Sequence, residues 1–98
     1  MRFKFKTREV HLLYTEERNA HRYPPGLVDS FFEAMAIIAN AASEADIRAM
    51  KSLHFEKLSG DRAGQHSLRL NKQYRLIVQI EEDELGKWLW IIEIVDYH

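Results

Sequence analysis

The chain contains no cysteine, only two prolines and only four glycines. The absence of cysteine excludes disulfides and thiolate metal sites. The few glycines are not spaced as a phosphate-binding loop, and no Gly-x-Ser-x-Gly turn marks a serine nucleophile. No apolar run approaches the length of a membrane span, and residues 1–6 lack the apolar segment of a secretory signal. These absences predict a cytoplasmic protein.

What the chain does contain suits one globular domain over residues 1–98. Hydrophobic residues make up 46% of the sequence and charged residues 30%, a balance typical of a folded protein. The net charge of −1 hides two opposite blocks. Residues 49–75 have six basic side chains against two acidic ones, whereas residues 76–98 have six acidic side chains against one lysine. The basic block is of the kind that attracts phosphates, although a solvated surface is an equally simple interpretation.

Hydrophobic periodicity changes along the chain from helical to alternating. The first half predicts a short strand over Arg2–Phe5, a helix capped by Thr7, a second helix from Leu27 to about Ala42, and a short helix opened by Ser43. The second half alternates with period two, which predicts strands over Phe55–Leu58, His66–Leu70, Tyr74–Ile80 and Trp88–Tyr97, with Glu81–Lys87 as a connection. This order predicts an α+β fold, with helices packed on one face of a small antiparallel sheet.

Alternation also predicts which side chains share a face. Tyr74, Leu76, Val78 and Ile80 fall on one side of their strand, so the helices should cover that side. Arg69 and Arg75 then face outward, and two guanidinium groups on an uncovered sheet form a plausible phosphate cradle. The alternative is an exposed face whose arginines form ion pairs with Glu93 or Asp96.

Two stretches carry groups that can move protons near neutral pH. An apolar run, Trp88–Val95, leads into Asp96, Tyr97 and His98, and the strand pattern continues through them. His54 lies upstream in the basic block, where a structural role is the simpler interpretation for a single histidine. If both stretches reach the uncovered face, two imidazoles and a carboxylate could flank one scissile bond.

Other assignments for the histidines are weaker. A zinc or manganese site built from His54, Asp96 and His98 is chemically conceivable, but the surrounding cationic side chains disfavour a bound cation. His66 begins a predicted strand and could border the site. We therefore expect no metal and no cofactor.

The motifs in the second half of the chain resemble those of a known family. They are Leu53-His54, Lys57-Leu58-x-Gly60-Asp61-Arg62-x-Gly64-x-x-Ser67, Asn71-x-x-Tyr74-Arg75 and Val95-Asp96-Tyr97-His98. Together they resemble the HigB branch of the RelE/ParE superfamily, the toxins of bacterial type II toxin–antitoxin pairs. The terminal Asp-Tyr-His is the most specific element.

The resemblance implies a fold, an activity and partners. It implies a curved antiparallel sheet, ribosome-dependent cleavage of messenger RNA in the decoding site, and neutralisation by a helix-turn-helix antitoxin. It assigns catalysis to His54, Asp96, Tyr97 and His98, and phosphate contacts to Lys57, Arg62, Arg69 and Arg75. Two features depart from the family pattern: Ser59 stands where relatives often have lysine, and Asn71-Lys72-Gln73 replaces a turn that contains arginine in some relatives.

Two other functions fit the same superfamily or the same charges. A ParE-type toxin would inhibit DNA gyrase without catalysis, and it would not need His54 or the terminal Asp-Tyr-His. A plain nucleic-acid-binding module would use the basic face without cutting. The clustered proton-transfer groups favour the metal-independent endoribonuclease, in which the substrate's own 2′-hydroxyl attacks the neighbouring phosphate.

Overall fold

The computed structural model describes residues 1–97 of the chain. Within them, helices come first and most strands follow. The elements are β1 (Phe3–Phe5), α1 (Arg8–Glu16), α2 (Leu27–Asn40), α3 (Glu44–Ala49), β2 (Glu56–Lys57), β3 (His66–Arg69), β4 (Tyr74–Asp83) and β5 (Gly86–Asp96). Short 3₁₀ turns occur at Ala20–Arg22, Lys51–Leu53 and Gly60–Arg62.

The five strands form one sheet in the order β1-β5-β4-β3-β2. The pairs β2–β3, β3–β4 and β4–β5 are antiparallel, as the sequence predicts, whereas β1 pairs with β5 in parallel. A parallel pairing needs a long crossover, and the helices between β1 and the later strands supply it. The predicted α+β fold is therefore confirmed, with a mixed rather than wholly antiparallel sheet.

The helices cover one face of the sheet and form the core there. Helix α2 contributes the predicted stripe at helical spacing, and α1 contributes Val10 and Leu13. The sheet contributes alternate residues of β3, β4 and β5. The main members of this core are Val10, Leu13, Leu27, Phe31, Ala34, Met35, Ile38, Leu68, Leu76, Val78, Leu89 and Ile91. Within residues 1–97 no helix lies over the other sheet face, although Ser67 and Ile77 on that face are fully buried.

The β4–β5 hairpin is longer than the sequence suggested. The prediction that Glu81–Lys87 connects the strands is wrong, since β4 runs to Asp83 and β5 begins at Gly86. Gly86 takes a φ of 111°, and Asp83 Oδ1 accepts from the amide of Leu85 at 2.9 Å. The acidic residues remain hydrated because the hairpin tip is exposed. The hydrogen bonds from Arg2 hold the pKa of Asp83 at about 2.

A register shift interrupts the β4–β5 ladder. Ile77 pairs with Glu93, but Val78 pairs with Ile91, so Ile92 is an extra residue on β5. Before this bulge, Leu89 and Ile91 face the helices. After it, the even-numbered Ile94 packs against the same core, and the odd-numbered side chains point to the uncovered face.

His66 lies on the helix-covered side of the sheet, facing away from Arg69 and Arg75, and that it borders the site stays a prediction. Its ring stacks on Phe55 with centroids 4.8 Å apart, and Arg48 lies over the same phenyl ring at 4.9 Å. His66 pairs with Val78, whose side chain is in the core. Burial, followed by the charge of Arg48, lowers the pKa of His66.

The one-sided core predicts that Leu13→Ala lowers the free energy of unfolding by about 2–5 kcal/mol, because Leu13 is 0% exposed and a cavity remains. Leu85→Ala is the matched control. Leu85 is 83% exposed, so its substitution should change stability by less than about 0.5 kcal/mol. Urea unfolding of both variants checks this, and equal effects would contradict the assignment of the core.

The burial of His66 predicts a loss of stability in mild acid. An unfolded chain takes up a proton on histidine near pH 6.5, whereas the folded state resists it. The stability that comes from keeping His66 neutral in the folded state is therefore fully present above about pH 6.5, and it decreases as the pH falls below that value. Between pH 7.5 and 5.5, urea unfolding should show a smaller loss for His66→Gln than for wild type. His21→Gln, at an exposed position, should behave as wild type; equal slopes for all three proteins would refute the prediction.

Candidate functional site

Arg69 and Arg75 lie side by side on the uncovered face of the sheet. They are Cα partners across β3 and β4, and each alternates with core residues of its own strand. The sequence-based prediction that they share this face is confirmed. Like charges placed directly opposite each other on a sheet are destabilising. An anion between them would relieve that repulsion.

The Arg75 guanidinium is held under an aromatic ring. Its central carbon lies 5.2 Å from the centroid of the Tyr97 ring, a cation–π contact. The Tyr97 amide donates to the Gln73 carbonyl at 2.6 Å, which extends the β5 pairing to this residue. Tyr97 itself is 45% exposed, so it is accessible to a ligand.

One nitrogen of Arg75 lacks a hydrogen-bond partner. Its Nη1 atom is buried, and no acceptor for it exists among residues 1–97. Buried polar groups are nearly always satisfied, so such an exception needs a reason. A guanidinium nitrogen donates only, and a phosphate oxygen is the acceptor that its planar fork fits best.

A cleft of about 300 Å³ opens beside Tyr97. Strand β2 and the loop after it form the opposite wall. The lining residues in the described part of the chain are Glu56, Lys57, Leu58, Ser59, Asp61, Arg62 and Tyr97. The structure therefore brings two predicted phosphate contacts, Lys57 and Arg62, together with Tyr97 from the predicted catalytic cluster.

Existing contacts differ among the predicted phosphate-binding residues. Arg62 donates to Glu93 Oε2 at 3.3 Å and to Gln65 Oε1 at 3.1 Å, so the ion-pair alternative is realised for Arg62 and Glu93. Arg69 Nε donates to the Asn71 carbonyl at 3.3 Å. Neither guanidinium is buried against a carboxylate, and both remain accessible at the face of the sheet.

The remaining predicted catalytic residues are placed differently. His54 follows the 3₁₀ turn Lys51–Leu53, is exposed, and takes a left-handed φ of 43°. It is not among the described residues that line the cleft. Asp96 is exposed and accepts from Gln73 Nε2 at 2.9 Å. His98 lies outside the described residues, so the proposed convergence of its imidazole with that of His54 stays a prediction.

Glu56 is one of the cleft residues that the sequence-based site prediction does not include. It pairs with Ser67 across β2 and β3, and Ser67 pairs with Ile77. This row lies on the uncovered face, because the next residues, Leu68 and Leu76, belong to the core. The sequence-level signal is the alternation of Phe55, Glu56 and Lys57, which puts Glu56 on the strand face opposite Phe55.

Residues 1–97 contain no cluster of three or more histidine, aspartate or glutamate side chains that could hold a metal ion. No helix in this part of the chain has the length and apolar character needed to cross a bilayer.

Comparison with solved structures identifies relatives of the fold. A YoeB/ParE toxin from Agrobacterium tumefaciens superposes with a TM-score of 0.60 at 15% identity, covering all of both chains. The YoeB–YefM complex from Staphylococcus aureus contains a chain that matches with a TM-score of 0.54 at 18% identity, over 100% of this chain and 97% of that one. At these identities the likeness concerns the fold alone.

Comparison of sequences identifies the family. Toxin HigB-1 of Vibrio cholerae serotype O1 is 33% identical over 79 residues, which are 81% of this chain and 83% of the relative. The family described as the RelE-like toxin of type II toxin–antitoxin system HigB matches residues 3–98. The chain belongs to this HigB-like family and is the toxin component of a type II toxin–antitoxin system.

Proposed function

We propose that this toxin is an endoribonuclease that cuts messenger RNA in the decoding site of the ribosome, within the bacterial cytoplasm. The observation that carries the proposal is the pair Arg69 and Arg75, in direct cross-strand register on the face opposite the helices, with the exposed Tyr97 ring over Arg75. Two guanidinium groups placed side by side favour a phosphate ligand. Their position on a sheet face that no helix covers leaves room for an RNA strand.

The chemistry of RNA cleavage matches the groups that the cleft provides. The 2′-hydroxyl attacks the adjacent phosphorus, so the reaction needs a base for that proton and an acid for the leaving 5′-oxygen. It also needs cations for the charge that grows on the phosphorane oxygens. Arg75 is the main candidate for that role, supported by Arg62 in the cleft wall. Lys57 also lines the cleft, from the face of β2 that carries its partner His66, and we propose it as a more distant phosphate contact.

Arg69 and Arg62 have secondary places in this proposal. Arg69 adds charge beside Arg75, although its Nε already donates to Asn71. Arg62 must exchange its contact with Glu93 for one with RNA. Both groups of that pair are partly exposed, and exposed pairs are weak, so the exchange costs little.

Tyr97 and the terminal residues act on the base and the protons. The exposed Tyr97 ring can stack on a splayed base, a contact worth roughly 1–3 kcal/mol. Following the family resemblance, we assign proton transfer to His98 and, in a secondary place, to His54, with Asp96 orienting the terminal residues. The substrate brings its own nucleophile, so this route needs neither a metal nor a cofactor.

A cognate antitoxin of the helix-turn-helix type is the proposed protein partner. The staphylococcal relative of this fold is a YoeB–YefM toxin–antitoxin complex, which supports a partner of this general kind. In our proposal the antitoxin prevents access to the uncovered sheet face and so neutralises the toxin.

The role of Arg75 predicts that Arg75→Ala lowers the rate of messenger RNA cleavage on ribosomes by about 100- to 1,000-fold. Its thermal stability should be unchanged or slightly higher, because the substitution removes an unsatisfied donor and a like-charge contact. The exposed Arg22→Ala is the control and should cleave as wild type. Wild-type cleavage by Arg75→Ala would contradict the proposal.

Catalysis by the substrate's 2′-hydroxyl predicts that a single 2′-deoxy substitution at the cut site abolishes cleavage there, while the toxin still binds the ribosome complex. Mapping of transcript ends measures this loss of cleavage.

The proposed catalytic role of His98 predicts that His98→Ala abolishes growth arrest and leaves antitoxin affinity within a few-fold. Growth of cells that express the variant, together with antitoxin-binding assays, measures both results. Intact transcripts alongside inhibited DNA supercoiling would instead favour the gyrase-directed function.

A further inference from the structure

We propose that the ion pair between Arg62 and Glu93 is an autoinhibitory contact. In the free toxin it holds the loop of residues 58–65 across the sheet face that no helix covers, and RNA phosphate opens this loop by replacing the Glu93 carboxylate on Arg62. The inference rests on the proposed ribonuclease function, because it concerns access of RNA to the same face. Glu93 lies outside the motifs that carry the family resemblance.

The sheet face opposite the helices is not open along its whole length. Strand pairing places Glu56, Ser67, Ile77 and Glu93 in one row across β2, β3, β4 and β5. Ser67 and Ile77, in the middle of this row, are 0% exposed. No helix of residues 1–97 lies over them, so another segment must exclude water from the row.

The loop of residues 58–65 is the segment that crosses this row. It joins β2 to β3, yet Arg62, in the 3₁₀ turn Gly60–Arg62, contacts Glu93 on β5. Neighbouring strands lie about 4.8 Å apart, so β5 is about 10 Å from β3, which is more than an arginine side chain spans. The backbone of the turn therefore lies over the sheet, above Ser67 and Ile77.

Arg62 ties this loop to the far strand. Its Nη1 and Nη2 atoms both donate to Glu93 Oε2 at 3.3 Å, and Nη1 also donates to Gln65 Oε1 at 3.1 Å. The bond that closes the base of the loop is internal, since the amide of Leu58 donates to the Gln65 carbonyl at 2.9 Å. Within residues 1–97, the hydrogen bonds between Arg62 and Glu93 are the connection between the loop and β5.

The ion pair is weak enough for RNA to replace it. Charge-assisted N–H···O bonds are usually about 2.7–2.9 Å long, whereas both bonds here measure 3.3 Å. The two side chains are 37% and 44% exposed, and exposed ion pairs contribute little to stability. Phosphate oxygens fit the same planar guanidinium as carboxylate oxygens do, and Arg62 already lines the cleft beside Tyr97.

This exchange couples RNA binding to opening of the loop. The row of Ser67 and Ile77 lies next to the row of Arg69 and Arg75 on the same two strands. A loop held over the first row narrows the approach to the arginines of the second. In the free toxin, the Glu93 carboxylate also neutralises a cation of the cleft. Phosphate that takes its place on Arg62 releases both restraints at once.

The first test measures the loop in the free toxin, without RNA. NMR follows amide hydrogen exchange in wild type, Glu93→Gln and the control Glu81→Gln. Glu81 carries a carboxylate on the same sheet face, but it accepts from Gln79 at 2.8 Å rather than from Arg62. Glu93→Gln should raise exchange of the hydrogen-bonded amides of residues 62, 63 and 65 by about two- to fivefold, as expected for loss of an exposed ion pair, and Glu81→Gln should not. Unchanged exchange in Glu93→Gln would overturn the inference, whatever the toxin does to RNA.

The second test separates RNA binding from cleavage. Ribosomes that carry a message with a 2′-deoxy nucleotide at the cut site give the dissociation constant, and the unmodified message gives the single-turnover rate at saturation. Glu93→Gln should bind about two- to fivefold more tightly than wild type, because Arg62 is no longer occupied. Its saturating rate should stay within about twofold of wild type, since no group that contacts RNA has been removed.

Arg62→Ala provides the decisive background for this measurement. If Glu93 acts by occupying Arg62, then Glu93→Gln gains no affinity once residue 62 is alanine. Equal gains in both backgrounds, an equal gain from Glu81→Gln, or weaker binding by Glu93→Gln would mean that the carboxylate acts through general charge or only fixes the loop, and would refute the inference. Failure of wild type to cleave any translated message would instead refute the proposed function, while the exchange measurement still decides whether the ion pair holds the loop.

Discussion

The extra residue Ile92 determines which side of the sheet the end of the chain reaches. Without a bulge, Tyr97 would share the parity of Leu89 and Ile91 and would face the helices. The insertion reverses the alternation, so Ile94 continues the core and Tyr97 lies over Arg75. One residue of register therefore brings an aromatic ring to the cationic side of the sheet, as expected for bulges beside functional sites.

The two faces of the sheet differ in the kind of side chain that they carry, although His66 Nδ1 on the helix side is also buried without a partner among residues 1–97. The helix side is a close-packed apolar core with fully buried leucines and isoleucines. The other side carries two arginines in direct cross-strand register and a buried guanidinium nitrogen that has no acceptor among residues 1–97. These features disfavour the isolated folded state, and the core of the opposite face offsets their cost. Such local violations are typical of sites that become satisfied only when a ligand binds.

The spacing of hydrophobic residues was sufficient to predict the helices and strands that bury an apolar face. The spacing of Leu27, Phe31 and Ile38 fixed the longest helix, and the alternation along β4 placed Arg75 on the uncovered face. The parallel position of β1 and the bulge at Ile92 depend on pairing between distant segments, which no local pattern encodes. Glu56 was missed for a related reason. Strand β2 has only two residues, so its alternation gains meaning only when Ser67 is known to be its partner.

The central claim is that RNA phosphate binds Arg75 on the uncovered face, between Tyr97 and strand β2. The most direct measurement is a structure of this toxin on a ribosome that carries messenger RNA with a 2′-O-methyl group at the cut site. The account predicts the scissile phosphate within hydrogen-bond distance of the Arg75 guanidinium. A phosphate bound on the helix-covered side, or an Arg75 that contacts only protein in that complex, would contradict it.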